Sequence, residues 1–121
     1  MLKDIIEDLS VKLINYKLAG VTLDINSNPD RIKNNFGVIE TSQTVSTQYF
    51  NGGTDTFCYL YLHHKDLLEL TNLVIDVTNF LNNISPCENG YRIVTQDEEQ
   101  YFQGQLDNKY YVMRIYFKIM Y

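Results

Sequence analysis

The segment 110–121 constrains the fold of this chain more than any other. Every second side chain along one face of this segment is apolar or aromatic: Tyr111, Met113, Ile115, Phe117, Ile119 and Tyr121. The other face is mixed: Tyr110, Val112, Arg114, Tyr116, Lys118 and Met120. A period of two with one clean apolar face predicts a half-buried antiparallel strand, about 40 Å long at ~3.3 Å per residue. We expect this strand to be structural and to have an edge that can pair with another subunit.

Composition narrows the class of protein. A length of 121 residues predicts one domain, 1–121, with enough apolar surface to fold without crosslinks. Ten Tyr and no Trp favour pleated, half-buried surfaces and interfaces. A net charge of -5 argues against binding nucleic acid or anionic membranes as the main function. We expect no signal peptide or membrane span, and two reduced, buried cysteines in a cytoplasmic protein.

Two segments have the three-four spacing of amphipathic helices. The first, 2–19, places Leu2, Ile5, Ile6, Leu9 and Leu13 on one stripe. The second covers roughly 65–84, and Asp66 with Glu69 three residues later predicts its N-cap. We expect its stripe to be buried along its whole length: Leu67, Leu70, Val74, Val77, Leu81 and Ile84.

The rest of the chain is typical of strands and turns. Alternation predicts a short strand at 21–25, followed by a loop at 26–35. Strands at 37–50 and 55–62 flank an Asn-Gly-Gly turn at 51–53, and apolar groups on both sides of the second strand predict a central position. Further strands are expected at 91–95 and 101–106. The fold class predicted is α+β, with a mostly antiparallel sheet packed against two helices in a single small domain.

The pair His63–His64 is the strongest candidate for a metal site, because Cys58, Asp66 and Glu69 lie nearby in sequence. Adjacent residues on a strand point to opposite faces, so the two imidazoles are badly placed to bind one metal. The spacing matches no zinc motif, and no second Cys/His cluster exists in the sequence. We therefore expect no metal and no cofactor.

No other motif predicts catalysis. Nothing in the sequence marks a base that could activate the thiol of Cys58 or Cys87. The acidic run at 97–99 is typical of a solvated loop. The glycines of the 51–53 turn lack the Lys and the following helix of a phosphate loop. The sequence predicts a protein that is not an enzyme.

The order of elements resembles the tail-terminator and minor capsid proteins of long-tailed bacteriophages. The resemblance is strongest over 49–121, and 1–48 match only in having a helix and a strand. The sequence features on which the resemblance rests are Tyr49-Phe50-Asn51-Gly52-Gly53, Lys65-Asp66, Asn89-Gly90, Tyr91-Arg92-Ile93-Val94 and Tyr110-Tyr111-Val112. Proteins of that group have an α+β fold and no catalytic residues.

The resemblance implies a structural virion protein that assembles with copies of itself. It would form a ring, expected to be a hexamer, that caps the tail tube and joins it to the head during tail completion. The implied partners are the major tail tube protein and a head-completion or stopper protein, with genome DNA passing through without specific binding and no membrane contact. The implied location is the head-tail junction of the virion, after assembly in the host cytoplasm.

Two kinds of adhesive surface are expected from the residues. One is a sheet edge, either 110–121 or the Thr-rich strand at 38–48. The other comprises two polar loops that would meet the axial partners: Asn28, Pro29, Asp30 and Arg31 in the first, and Asn51, Gly52, Gly53 and Thr54 in the second. The alternative left open is a small non-enzymatic binding module or immunity-type interaction protein.

Overall fold

The computed structural model describes residues 2–18, 20–22, 36–46, 53–96, 101–106 and 109–121. Within these, only the backbone is described for 22, 42–46, 86, 87 and 101–103. The elements in chain order are α1 (Leu2–Tyr16), β1 (Gly20–Thr22), β2 (Phe36–Ser46), β3 (Thr54–His64), α2 (Leu67–Asn82), α3 (Pro86–Asn89), β4 (Arg92–Thr95), β5 (Tyr101–Gln105) and β6 (Tyr111–Met120). The predicted strand at 21–25, the loop at 26–35 and the turn at 51–52 lie wholly or partly outside the described residues.

Six strands form one mixed, mostly antiparallel sheet, which confirms the predicted α+β class. The order is β1-β2-β3-β6-β4, and β5 also pairs with β6. Among the described strands, only β1 and β2 run parallel, with Gly20 opposite Phe36. The sheet is centred on β3 and β6, which pair antiparallel over ten residues from Asp55↔Met120 to His64↔Tyr111. The predicted central position of the 55–62 strand is therefore confirmed.

The expectation that 110–121 offers an edge to another subunit was wrong. One side of β6 pairs with β3, and the other pairs with β5 near its start and with β4 near its end. A strand that is paired on both sides has no row of unpaired backbone N–H and C=O groups with which a strand of another subunit could pair. The outer side of β2 is different, because β1 pairs with it only at 36–38, and the described part of the chain supplies no partner strand to 39–46.

Both long helices pack on the same face of the sheet and close the core. The apolar face of β6 points into this core: Ile115, Phe117 and Ile119 are fully buried there. The stripe of α1 is confirmed by the burial of Ile5, Ile6, Leu9 and Leu13. One apolar stripe per helix against one apolar sheet face is the simplest two-layer architecture for a chain of this length.

The α2 helix begins at Leu67 because Asp66 caps it. The Asp66 Oδ1 accepts hydrogen bonds from the backbone N–H groups of Leu68, at 2.9 Å, and Glu69, at 3.2 Å. The predicted stripe is buried at Leu70, Val74, Val77, Leu81 and Ile84, but Leu67 is 42% exposed, so that part of the prediction was wrong. Leu73, which the prediction left out of the stripe, is buried in the next turn instead.

Candidate functional site

The sheet face opposite the helices carries a cluster of aromatic side chains, which we call the aromatic face. It comprises Phe57, Tyr59 and Tyr61 from β3, and Tyr116 with Arg114 and Lys118 from β6. All six side chains are half-buried, and among the described residues no helix covers them. The period of two places these residues on one side of their strands, and the β3–β6 register brings the two rows together.

The rings on the aromatic face pack against one another. Tyr116 stacks on Tyr59 with ring centroids 4.7 Å apart and on Phe57 at 5.7 Å. Tyr61 extends the row, at 6.2 Å from Tyr59 in a tilted arrangement. Such contacts stabilise a cross-strand pair by roughly 0.5–1.5 kcal/mol beyond area burial, so the cluster is a firm surface with fixed ring positions.

Cationic groups lie among these rings. The Arg114 guanidinium carbon lies 4.4 Å from the centroid of the Tyr59 ring, within cation–π range. Burial raises the pKa of the Tyr61 hydroxyl, and a hydrogen bond with Arg114 partly opposes that rise. Arg114 is thus held in place by both neighbours, which fixes a positive charge in the middle of an aromatic surface.

A buried carboxylate lies at one end of the aromatic face. Asp55 has a side chain only 8% exposed, and its Oδ2 lies 3.8 Å from the Lys118 ammonium nitrogen. The other oxygen, Oδ1, has no hydrogen-bond partner among the described residues. A buried carboxylate oxygen normally accepts a hydrogen bond, so this end of the surface has unused capacity for a donor.

The opposite end of the same sheet face is closed by a tighter aromatic group. The His63 ring stacks on Phe36 with centroids 3.9 Å apart, and Tyr110 meets Phe36 edge-on at 6.4 Å. His63 is only 8% exposed. Burial lowers the pKa of its imidazole from 6.5 to about 4, so the ring is neutral at physiological pH.

Burial of the His63 imidazole predicts acid-labile folding. The unfolded chain binds a proton at this ring below a pKa of 6.5, whereas the folded protein does so only near 4. Stability should therefore be complete above about pH 6.5 and fall by about 3 kcal/mol as the pH decreases toward 4. Urea titrations at several pH values measure this loss. The variant His63→Phe should lose most of the slope between pH 6.5 and 4, and an unchanged slope would contradict the assignment.

His63 and His64 point to opposite faces of β3, as the strand period predicts. The His64 Nδ1 accepts a hydrogen bond of 2.9 Å from the backbone N–H of Asp66, so this imidazole helps to shape the start of α2. Within the described ranges, no group of three or more His, Cys, Asp or Glu side chains is arranged to hold a metal ion.

Elemental analysis of the purified protein should accordingly find no stoichiometric zinc or iron. Each imidazole already has a structural contact on its own face of the strand, and no set of ligands converges between them. A bound metal that is lost on replacing His63 or His64 would contradict this prediction.

Cys58 is a poor candidate for a nucleophile. Its side chain is fully buried in the core, and burial raises the pKa of the thiol to about 12. The reactive thiolate is therefore scarce at neutral pH. The Cys87 side chain and the acidic run at 97–99 lie outside the described residues.

The helix ends form a groove of about 560 Å³. Its lining combines the stacked rings of Tyr16 and Phe80 with amide and hydroxyl groups. Lys12, on its rim, forms an ion pair with Asp8 and is thereby neutralised. Ser85 and Glu88 also line the groove.

Six of the eight predicted partner-binding residues lie outside the described residues: Asn28, Pro29, Asp30, Arg31, Asn51 and Gly52. Gly53 precedes β3, and Thr54 begins it, exchanging backbone hydrogen bonds of 2.7 and 3.0 Å with Tyr121. Alternation is visible in the sequences of β3 and β6 separately, but the aromatic face forms only where the β3–β6 register brings the two strands together.

Comparison with known proteins gives no further assignment: no protein-family model and no curated protein sequence matches the chain. In the described part of the chain, no helix has both the length and the apolar character needed to cross a membrane.

Proposed function

We propose that the chain is a structural subunit of a bacteriophage tail, a tail terminator that forms a ring on the end of the tail tube. The observation that carries this proposal is the aromatic face, which is half-buried in one copy of the chain. Tyr and Arg are enriched at protein interfaces, where flat rings give large contact area at low entropic cost. A second protein surface is the natural cover for such a cluster.

The arrangement of the sheet supports self-assembly. Its two edges differ, with β1 and the unpaired length of β2 on one side and β4 and β5 on the other. Contacts between unlike surfaces are heterologous and produce closed rings when the rotation closes. The Thr-rich strand at 38–48 remains a predicted second contact, because the described chain leaves 39–46 unpaired on its outer side.

The proposed partners follow from the resemblance to tail terminators. The ring, expected to have six subunits, would contact the major tail tube protein on one side and a head-completion or stopper protein on the other. The loops 26–35 and 51–54 are the proposed axial contacts.

Genome DNA would pass through the ring without specific binding. The net charge of -5 supports this part of the proposal, since an acidic protein binds duplex DNA weakly. Tight, salt-independent association of the assembled protein with duplex DNA would contradict it.

Mass measurement in solution tests the proposal directly. The 14.2 kDa chain should yield a particle of about 85 kDa if six copies close, alone at high concentration or after incubation with tail-tube polymer. The tube polymer is included because the ring can depend on it for assembly. A protein that stays monomeric and does not bind the tube would instead favour the alternative, a small non-enzymatic binding module or immunity-type protein.

A further inference from the structure

We infer that the aromatic face of one subunit docks on the outward surface of α1 of the next subunit. The inference rests on the proposed function, because its occupant is a second copy of this chain within the ring. The docking surface on α1 is a stripe of four exposed residues at three-four spacing, which we call the outer stripe: Asp4, Glu7, Val11 and Ile14. It lies on the side of α1 opposite the buried Leu9 and Leu13.

The two surfaces have compatible shapes and polarity. A helix lying on a sheet is the packing that the molecule already uses on its other face, where α2 packs on β3, β4 and β6 and α1 packs beside β1. Val11 is 56% exposed and Ile14 44% exposed, so the outer stripe offers apolar groups to aromatic rings. Burying such side chains against rings stabilises an interface by the area removed from water.

Charge also favours this pairing. On the described strands, the aromatic side of the sheet carries Arg92, Arg114 and Lys118 against only Glu40 and Asp55. A local positive excess is the exception in a chain of net charge -5. The outer stripe carries the exposed Glu7 carboxylate, so a positive surface meets a negative charge.

The outward surface of α2 matches less well. Leu68 and Ile75 are exposed there, but Asn72 and Asn79 lie between and beyond them, and Asp76 forms an ion pair of 2.5 Å with Lys17. The Asp76 charge is thus partly neutralised within the subunit, and Glu69 is the other acidic residue exposed on this helix. The amides that interrupt the apolar groups of α2, together with this ion pair, select α1 as the docking element.

The position of the two surfaces also determines the type of contact. They lie on opposite layers of one molecule, so one copy binds a second through unlike surfaces. In an open row of subunits, such contacts leave an aromatic face unoccupied at one end and an outer stripe unoccupied at the other. Both surfaces are occupied in every subunit only when the ring closes. The same surfaces therefore account for both neighbours of every subunit.

Photocrosslinking tests which surface meets the aromatic face. A photoreactive amino acid replaces Val11, and a matched variant carries it at Ile75 on α2, which is equally exposed at 55%. Equal amounts of isotopically light and heavy protein are assembled, with tail-tube polymer where needed, so that mixed products identify links between copies. Links from position 11 should reach the β3 or β6 peptide of another copy, whereas links from position 75 should not.

Charge exchange provides an independent measurement. Glu7→Lys and Arg92→Glu should each weaken subunit association by about tenfold, because each places like charges across the contact. The double variant Glu7→Lys with Arg92→Glu should recover most of the loss, since the two surfaces are again of opposite sign. Glu69→Lys on α2 is the control with the same charge change, and it should leave association unaltered.

The outcomes separate this inference from the proposed function. A ring that forms with links from position 11 to any other surface, or without recovery in the double variant, overturns the docking mode and leaves the ring intact. If the protein never associates, even on tail-tube polymer, there is no second copy to dock. That result overturns both the docking mode and the proposed function.

Discussion

Val74→Asp is expected to unfold the protein. Val74 is 5% exposed and lies in the core between α2 and the sheet, where no described cationic side chain can pair with a carboxylate. An uncompensated buried charge costs about 4 kcal/mol or more, a large part of the stability of a small domain. Far-ultraviolet circular dichroism with urea titration should show a loss of cooperative folding at 25 °C.

The neighbouring residue provides the control for Val74→Asp. Ile75 is 55% exposed on the solvent side of the same helix, so Ile75→Asp should change the free energy of unfolding by only about 0.5 kcal/mol. Equal destabilisation by the two substitutions would mean that the orientation of α2 is wrong.

Phe117→Ala is expected to cost about 3–5 kcal/mol of stability. Phe117 is among the largest fully buried side chains and occupies the middle of β6, opposite Cys58. The loss has two sources, the transfer of apolar surface and the cavity that remains. Denaturant midpoints at constant m-value measure it.

Tyr116→Ala, one residue earlier, removes a ring from the aromatic face on the other side of the sheet. It should cost only about 1 kcal/mol of stability, from its stacking on Tyr59 and Phe57, and should mainly weaken subunit association. A Tyr116→Ala protein as unstable as Phe117→Ala would show that the two sheet faces are buried alike.

The sequence predicted the main helices and strands well because each of them has its own periodic pattern of apolar residues. The stripe of α1, the alternation of β6 and the Asp66 cap each depend on residues close in the chain, and the structure has all three. Boundaries were less accurate: α1 ends at Tyr16 and α2 at Asn82. The short helix α3 was not predicted, because four residues carry too little periodicity.

The pairing of the strands could not be predicted in the same way. Register and neighbour depend on contacts between distant segments, so alternation in β6 identified its buried face but not its place in the sheet. The long terminal strand resembled an edge and is central instead. The aromatic face was missed for the same reason, since Tyr59 and Tyr116 become neighbours only through the β3–β6 register.

Deleting the gene tests the proposed role in tail termination most directly. Electron microscopy of lysates should show filled heads and separate tails of abnormal length, because an uncapped tube neither stops growing at its proper length nor joins a head. Supplying the intact gene in trans should restore joined virions. Normal joined virions from the deletion, in the absence of any second copy of the gene, would contradict the assignment.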